Sequence, residues 1–291
     1  MPELPEVETV RRGLAPFMEG AAFTRVELRR ANLRFPFPER FAERLVGRRI
    51  EALDRRAKYL MARLDDGATL AMHLGMTGRF TIELAGGAAN IPGDFVYQTG
   101  RNAIHDHVLF ALDNGVSVRF NDARRFGYMT LIDGMLERHP LFEGIGVEPL
   151  SNELTPEYLA KRAAGKIAPL KSFLLDQRVI AGLGNIYVSE ALFRAGLRPT
   201  RPAAVLATKS RAPTAACERL VAAILVVLEE AILAGGSSLR DFAGVNGAPG
   251  YFQHTFGVYG RTGEPCLQCG VAIERIVQSG RSSFFCPRCQ R

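Results

Sequence analysis

Residues 266–289 read CLQCGVAIERIVQSGRSSFFCPRC: two Cys-x2-Cys knuckles separated by sixteen residues. Each knuckle can present two thiolates to one tetrahedral ion, and sixteen residues suffice for a hairpin between them. Cys266, Cys269, Cys286 and Cys289 are therefore expected to hold one structural Zn2+ in a closed four-cysteine ribbon. Two disulfides are the competing pairing, and they suit an oxidising compartment rather than a reducing one. The hairpin carries Arg275, Arg281 and Arg288 together with Phe284 and Phe285. Over 261–291, five Arg against two Glu leave a net charge of +3. A small basic ribbon suits a nucleic-acid groove, although zinc ribbons also dock proteins. The fifth cysteine, Cys217, lies in an apolar helical stretch and is expected in a core.

Upstream of the ribbon the pattern changes twice. Residues 1 to about 20 suggest a helix, with Pro5 in its first turn and Val7, Val10 and Leu14 on one face. From about 24 to 132 strands dominate. Ile50–Leu64 and Thr69–His73 flank an Asp-Asp-Gly turn, and Val108–Leu112 and Val116–Phe120 flank Asp-Asn-Gly, which predicts antiparallel hairpins in a sandwich or barrel. Helical periodicity follows near 156–164, 170–177, 187–195 and 214–234, the last stopped by Gly235-Gly236-Ser237-Ser238. The chain is thus an α+β protein. Its expected parts are a β-rich lobe over 1–134 that includes the N-terminal helix, a linker over 135–154, a helical lobe over 155–250 and the zinc ribbon over 251–291. At 291 residues, about two domains are expected.

Composition excludes several classes. With 47% hydrophobic and 23% charged residues, the chain is neither disordered nor a coiled coil as a whole. Its longest apolar run, Leu220–Leu228, is too short to span a membrane. The first ten residues, MPELPEVETV, lack the basic and apolar regions of a signal peptide, so a cytoplasmic location is expected. A formal charge of +7 favours a polyanionic partner.

The N-terminus carries a second chemical signal. Removal of Met1 would expose Pro2 as a secondary amine. An α-amino group titrates at about 7.7–8.0 against about 10.4 for lysine, so it is far more nucleophilic at neutral pH. A helix N-terminus favours the neutral amine further. Glu3 and Glu6 lie within one turn of it, and a nucleophile beside a proton carrier is what chemistry at a sugar C1′ requires. Pro and Glu are equally the residues that a first helical turn favours. Gly-Leu-Gly-Asn at 182–185 fails as a dinucleotide motif, because Tyr187 occupies the third glycine position and the preceding segment is helical. His105 and His107 are too few for a metal site.

MPELPEVETV together with the ribbon resembles the formamidopyrimidine-DNA glycosylase family. So do RRAKYL (55–60), HLGMTGRF (73–80), HDH (105–107), NDARRFG (121–127), LLDQRVIAGLGNIYVSEALF (174–193) and GRSSFFC (280–286). The opening Pro-Glu-Leu-Pro resembles the oxidised-purine branch rather than the endonuclease VIII branch, and Ala123 stands where many members have proline. The resemblance implies a β-sandwich lobe, a helix–two-turn–helix lobe and a zinc hairpin, with double-stranded DNA between the lobes. It also implies a monomeric, bifunctional glycosylase and AP lyase that excises oxidised purines and cuts the strand by β,δ-elimination.

Residue by residue, the resemblance implies Pro2 as nucleophile, Glu3 as acid/base partner and Glu6 as a helper that orients this end. A helix N-terminus favours the carboxylate, so Glu3 needs desolvation to hold a proton at neutral pH. Lys58 is implied in β-elimination and Arg281 in δ-elimination. Met76, Arg124 and Phe126 match the side chains that fill the gap left by a flipped base, recovering part of the lost stacking. His105, Lys166, Lys171 and Asn185 are implied as phosphate contacts. A loop over the flipped base is implied within 235–250. The alternative is a zinc-ribbon DNA-binding protein without catalysis.

Overall fold

A computed structural model describes residues 2–84, 102–237 and 251–291. The fate of Met1 and most of the loop expected within 235–250 lie outside those residues. The chain forms two compact units, Met1–Glu143 with Ala234–Tyr251, and Gly144–Leu233 with Phe252–Arg291.

The first unit opens with α1 (Leu4–Met18), whose Val7, Val10, Leu14 and Met18 recur every three to four residues and are buried on one face. Next come β1 (Phe23–Leu28), a one-turn helix α2 (Phe41–Leu45), β2 (Ile50–Arg56), β3 (Tyr59–Leu64), β4 (Thr69–His73), β5 (Arg79–Glu83), β6 (Asp106–Leu112), β7 (Ser117–Asn121) and β8 (Tyr128–Ile132). They form two antiparallel four-stranded sheets, ordered β1-β6-β7-β5 and β2-β3-β4-β8. Both contribute to one core with α1. Phe23, Phe80, Phe110 and Phe120 come from the first sheet, and Leu53, Leu60, Leu70 and Met72 from the second. Each buried side chain of this size contributes roughly 1.5–3 kcal/mol.

One strand departs from the sequence expectation. Ile50–Leu64 is not a single strand: Arg56 pairs with Tyr59, and Ala57-Lys58 form the two-residue turn between β2 and β3. Ala57 takes up φ +52°. Hairpin turns need such a left-handed residue, normally glycine, and the apolar pattern running through this segment conceals it. The turn places Lys58.

The second unit contains α3 (Pro156–Ala163), α4 (Leu170–Leu175), α5 (Asn185–Arg194) and α6 (Ala215–Leu233), then the hairpin β9 (Glu274–Gln278) and β10 (Arg281–Phe285). Thr155 caps α3 by accepting Tyr158 N–H. Gln177 organises the turns between α4 and α5: its amide donates to Leu175 O and Leu183 O, and its Oε1 accepts Gly182 N–H. Ile186 to Phe193 of α5 are all buried. Cys217 is buried in α6, where burial pushes its thiol up to about 11, as suits a core residue. Among the described residues, no helix is long and apolar enough to cross a membrane.

Candidate active site and metal centre

In the first unit, Pro2 is buried at the head of α1. Glu3 is 4% exposed and Glu6 2%, so both carboxyl groups are buried at the head of the helix. Glu6 Oε2 accepts Glu3 N–H at 2.8 Å, the reach-back half of a capping box. Its Oε1 accepts Ser237 N–H at 2.8 Å and the Ser237 hydroxyl at 3.0 Å. One turn along α1, Glu8 gathers Arg11, Arg12 and Arg55 at 2.9, 2.9 and 3.3 Å, tying the helix to β2. Burial alone would raise the Glu8 carboxyl, but the hydrogen bonds from Arg11 and Arg12 and the attraction of Arg11 and Arg55 hold it below its ordinary value.

Lys58, at the β2–β3 turn, is 8% exposed. Its neighbour Tyr59 pairs across the sheet with His73. Burial, followed by the positive charges of Lys58 and Arg34, lowers His73 to about 4, so the ring is neutral at physiological pH. His73 Nδ1 accepts Gly75 N–H at 2.9 Å, which leaves the proton on Nε2. The ring stacks on Tyr128, 5.2 Å between centroids, and the Tyr128 hydroxyl donates to that of Tyr59 at 2.6 Å. Burial and that hydrogen bond raise the Tyr128 hydroxyl, which remains protonated.

Met76 and Phe126 are 37% and 40% exposed, so both side chains reach solvent. The Arg124 guanidinium lies 4.6 Å from the Phe126 ring centroid. Beside them is a cleft of about 480 Å³ lined by Asn32, Leu33, Arg34, Arg124, Arg125 and Phe126. Three guanidinium groups and an exposed ring suit a phosphate-bearing, aromatic ligand. His105 is half-buried in the short turn Ala103–His105. His107 is buried, with Nε2 2.9 Å from Asp122 O, and lies in no metal-ligand cluster among the described residues.

In the second unit, Lys171 is 1% exposed and donates to Ser282 O at 2.6 Å and Ser283 Oγ at 2.9 Å. Asn185 Nδ2 donates to the same Ser282 carbonyl at 3.2 Å, and its Oδ1 finds no partner among the described residues. Both side chains thus fasten the start of β10 next to exposed Arg281. Lys166 is exposed.

The four ribbon sulfurs lie within 4.8 Å of one another. Cys266 Sγ is 3.9 Å from that of Cys289, and Cys269 Sγ 3.4 Å from that of Cys286. Four Zn–S bonds of about 2.3 Å in a tetrahedron require sulfurs about 3.8 Å apart, so the set fits one zinc ion. Gln268 N–H and Cys289 N–H point at Cys266 Sγ and Cys286 Sγ, as suits thiolates. Between the strands, Ser279 and Gly280 have φ +49° and +73°, the left-handed pair of a tight hairpin. Among the described residues, these cysteines are the one group of three or more side chains that could hold a metal.

Sequence reasoning missed Glu8, His73 and Glu190, whose buried carboxylate accepts the N–H groups of Gly257, Val258 and Tyr259. His73 opens the HLGMTGRF stretch and Glu190 lies in YVSEALF, but a single ionisable residue in a strand or helix gives no pattern to detect.

Three families cover most of the chain: formamidopyrimidine-DNA glycosylase N-terminal domain at residues 1–129, formamidopyrimidine-DNA glycosylase H2TH domain at 145–243, and zinc finger found in FPG and IleRS at 263–291. The formamidopyrimidine-DNA glycosylase of Beijerinckia indica is 61% identical, with 100% of each chain covered. The MutM (Fpg) crystal structure from Thermus thermophilus is 39% identical with a TM-score of 0.82, covering 99% of this chain and 98% of that one. Lactococcus lactis Fpg, in complex with DNA containing an abasic site, is 32% identical with a TM-score of 0.82, covering 99% of each chain. The chain belongs to the formamidopyrimidine-DNA glycosylase family.

Proposed function

We propose that the protein is a bifunctional DNA glycosylase and AP lyase of base excision repair. It acts as a monomer in the bacterial cytoplasm, on double-stranded DNA containing oxidised purines or abasic sites. The observation that carries this reading is Pro2, the second residue, buried beside two buried carboxylates at the head of α1, in a chain of this family.

With Met1 removed, the Pro2 nitrogen attacks C1′ of the damaged nucleotide. The glycosidic bond breaks and its electron pair leaves with the base, which takes up a proton. Glu3 supplies the proton to the sugar ring oxygen as the ring opens, and the nitrogen–carbon bond becomes an iminium ion. That cation acidifies C2′: loss of a proton there expels the 3′ phosphate, and a second elimination expels the 5′ phosphate. Lys58 serves the first elimination and Arg281 the second, each drawing charge toward a phosphate. Hydrolysis of the iminium returns free Pro2.

Met76, Arg124 and Phe126 fill the space vacated by the extruded base, with Arg124 facing the unpaired partner. His105, Lys166, Lys171 and Asn185 hold the backbone, Lys171 and Asn185 through the start of β10. Cys266, Cys269, Cys286 and Cys289 would hold one Zn2+, whose contribution is to fold the ribbon.

Borohydride reduction in the presence of an 8-oxoguanine or abasic duplex tests the reading. It predicts a covalent protein–DNA adduct, and loss of the adduct in Pro2→Gly with DNA affinity retained. Salt-sensitive DNA binding without any adduct would instead make the protein a non-catalytic DNA binder.

A further inference from the structure

Met76 follows β4, whereas Arg124 and Phe126 lie between β7 and β8, so the inserting side chains stand on separate loops. One buried carboxylate joins them. Asp122 is 0% exposed. Its Oδ1 accepts the Thr77 hydroxyl, and its Oδ2 accepts Gly127 N–H at 2.8 Å. Thr77 Oγ1 in turn accepts Arg124 N–H at 3.1 Å. Asp122 N–H also donates to His105 O at 3.0 Å. The loops touch backbone to backbone: a Cβ on Gly75, whose φ is +64°, would lie 2.3 Å from Gly127 N.

No cation among the described residues pairs with the Asp122 side chain. A buried carboxylate is costly and is retained where both of its oxygens are used. Asparagine presents one acceptor oxygen and could satisfy Thr77 or Gly127, but not both.

We propose that Asp122 and Thr77 are positioning residues, a clasp that holds Met76, Arg124 and Phe126 in one register so that they enter the duplex together. This rests on the reading that those three side chains fill the place of the flipped base. Recovering lost stacking requires every inserted group to arrive in place, and a loosened loop forfeits that gain.

The test uses the full-length, zinc-loaded protein and compares single-turnover excision of 8-oxoguanine from duplex DNA with cleavage at a preformed abasic site. Thr77→Val should lower the ratio of the two rates about tenfold. Thr77→Ser, which keeps the hydroxyl, should restore it to within about twofold, and Thr77→Val should change the ratio less than about twofold in a Phe126→Ala background. Asp122→Asn, provided as a second variant, should reproduce the Thr77→Val pattern. A 2-aminopurine beside the lesion should report slower unstacking in Thr77→Val. A wild-type ratio in Thr77→Val, equal loss in both reactions, or the full loss in the Phe126→Ala background would each overturn the clasp. If wild type excises nothing, or Phe126→Ala leaves the ratio unchanged, the underlying insertion reading fails and the clasp falls with it.

Discussion

Glu6 and Ser237 lie 231 positions apart, yet one carboxylate oxygen of Glu6 accepts both the backbone N–H and the hydroxyl of Ser237. The other oxygen holds Glu3 N–H. Ser237 also bridges to Tyr251, so Glu6 ties the residue after Pro2 to that bridged pair. Glu6→Gln loses one of the acceptors and sets an amide N–H against a backbone donor. Leaving a buried group unsatisfied costs about 1–3 kcal/mol. The variant should form the borohydride-trapped adduct roughly tenfold more slowly while its zinc content stays at wild-type level. An unchanged trapping rate would remove Glu6 from the positioning of this end.

Cys269→Ser removes one of four ligands from a closed site. Zinc per protein should fall well below one, and affinity for duplex DNA should fall at least about tenfold, because Arg281 is presented by the hairpin that the ion folds. Metal analysis alongside salt titrations of binding checks both. Tight binding without zinc would show that the ribbon holds its shape unaided.

His73 gives a pH signature. Its folded value of about 4 lies below the ordinary 6.5, so between those values the unfolded chain binds the extra proton. Stability from this group is complete above about pH 6.5 and is lost as pH falls toward 4, on the order of 3 kcal/mol in all. Urea denaturation from pH 7.5 to 4.5 should show a smaller fall in stability for His73→Asn than for wild type. Equal slopes would mean that the ring is not buried neutral in solution.

If Phe126 fills the place of the flipped base as proposed, Phe126→Ala should slow lesion excision from duplex DNA by about tenfold or more relative to cleavage at a preformed abasic site. Equal losses on the two substrates would count against that role.

Much of this architecture is visible in the chain. The spacing of Cys266, Cys269, Cys286 and Cys289 contains the ribbon, and apolar periodicity marks α3 to α6 to within a few residues. The Ala57-Lys58 turn is not visible, because no glycine marks it and the hydrophobic pattern runs through it. Nor is the burial of Lys171: a lysine in a short helix ordinarily faces water, and only the folded chain brings the Ser282 carbonyl to its ammonium. Asp122 is hidden for the same reason. Its partners come from positions 77 and 127, on two different loops.

Peptide mapping of the borohydride-reduced adduct with abasic DNA addresses the chemistry itself. The sugar remnant should be found on a peptide that begins at Pro2, attached through its ring nitrogen, with Met1 absent from the active protein. A remnant on Lys58, or active protein that retains Met1, would contradict the account.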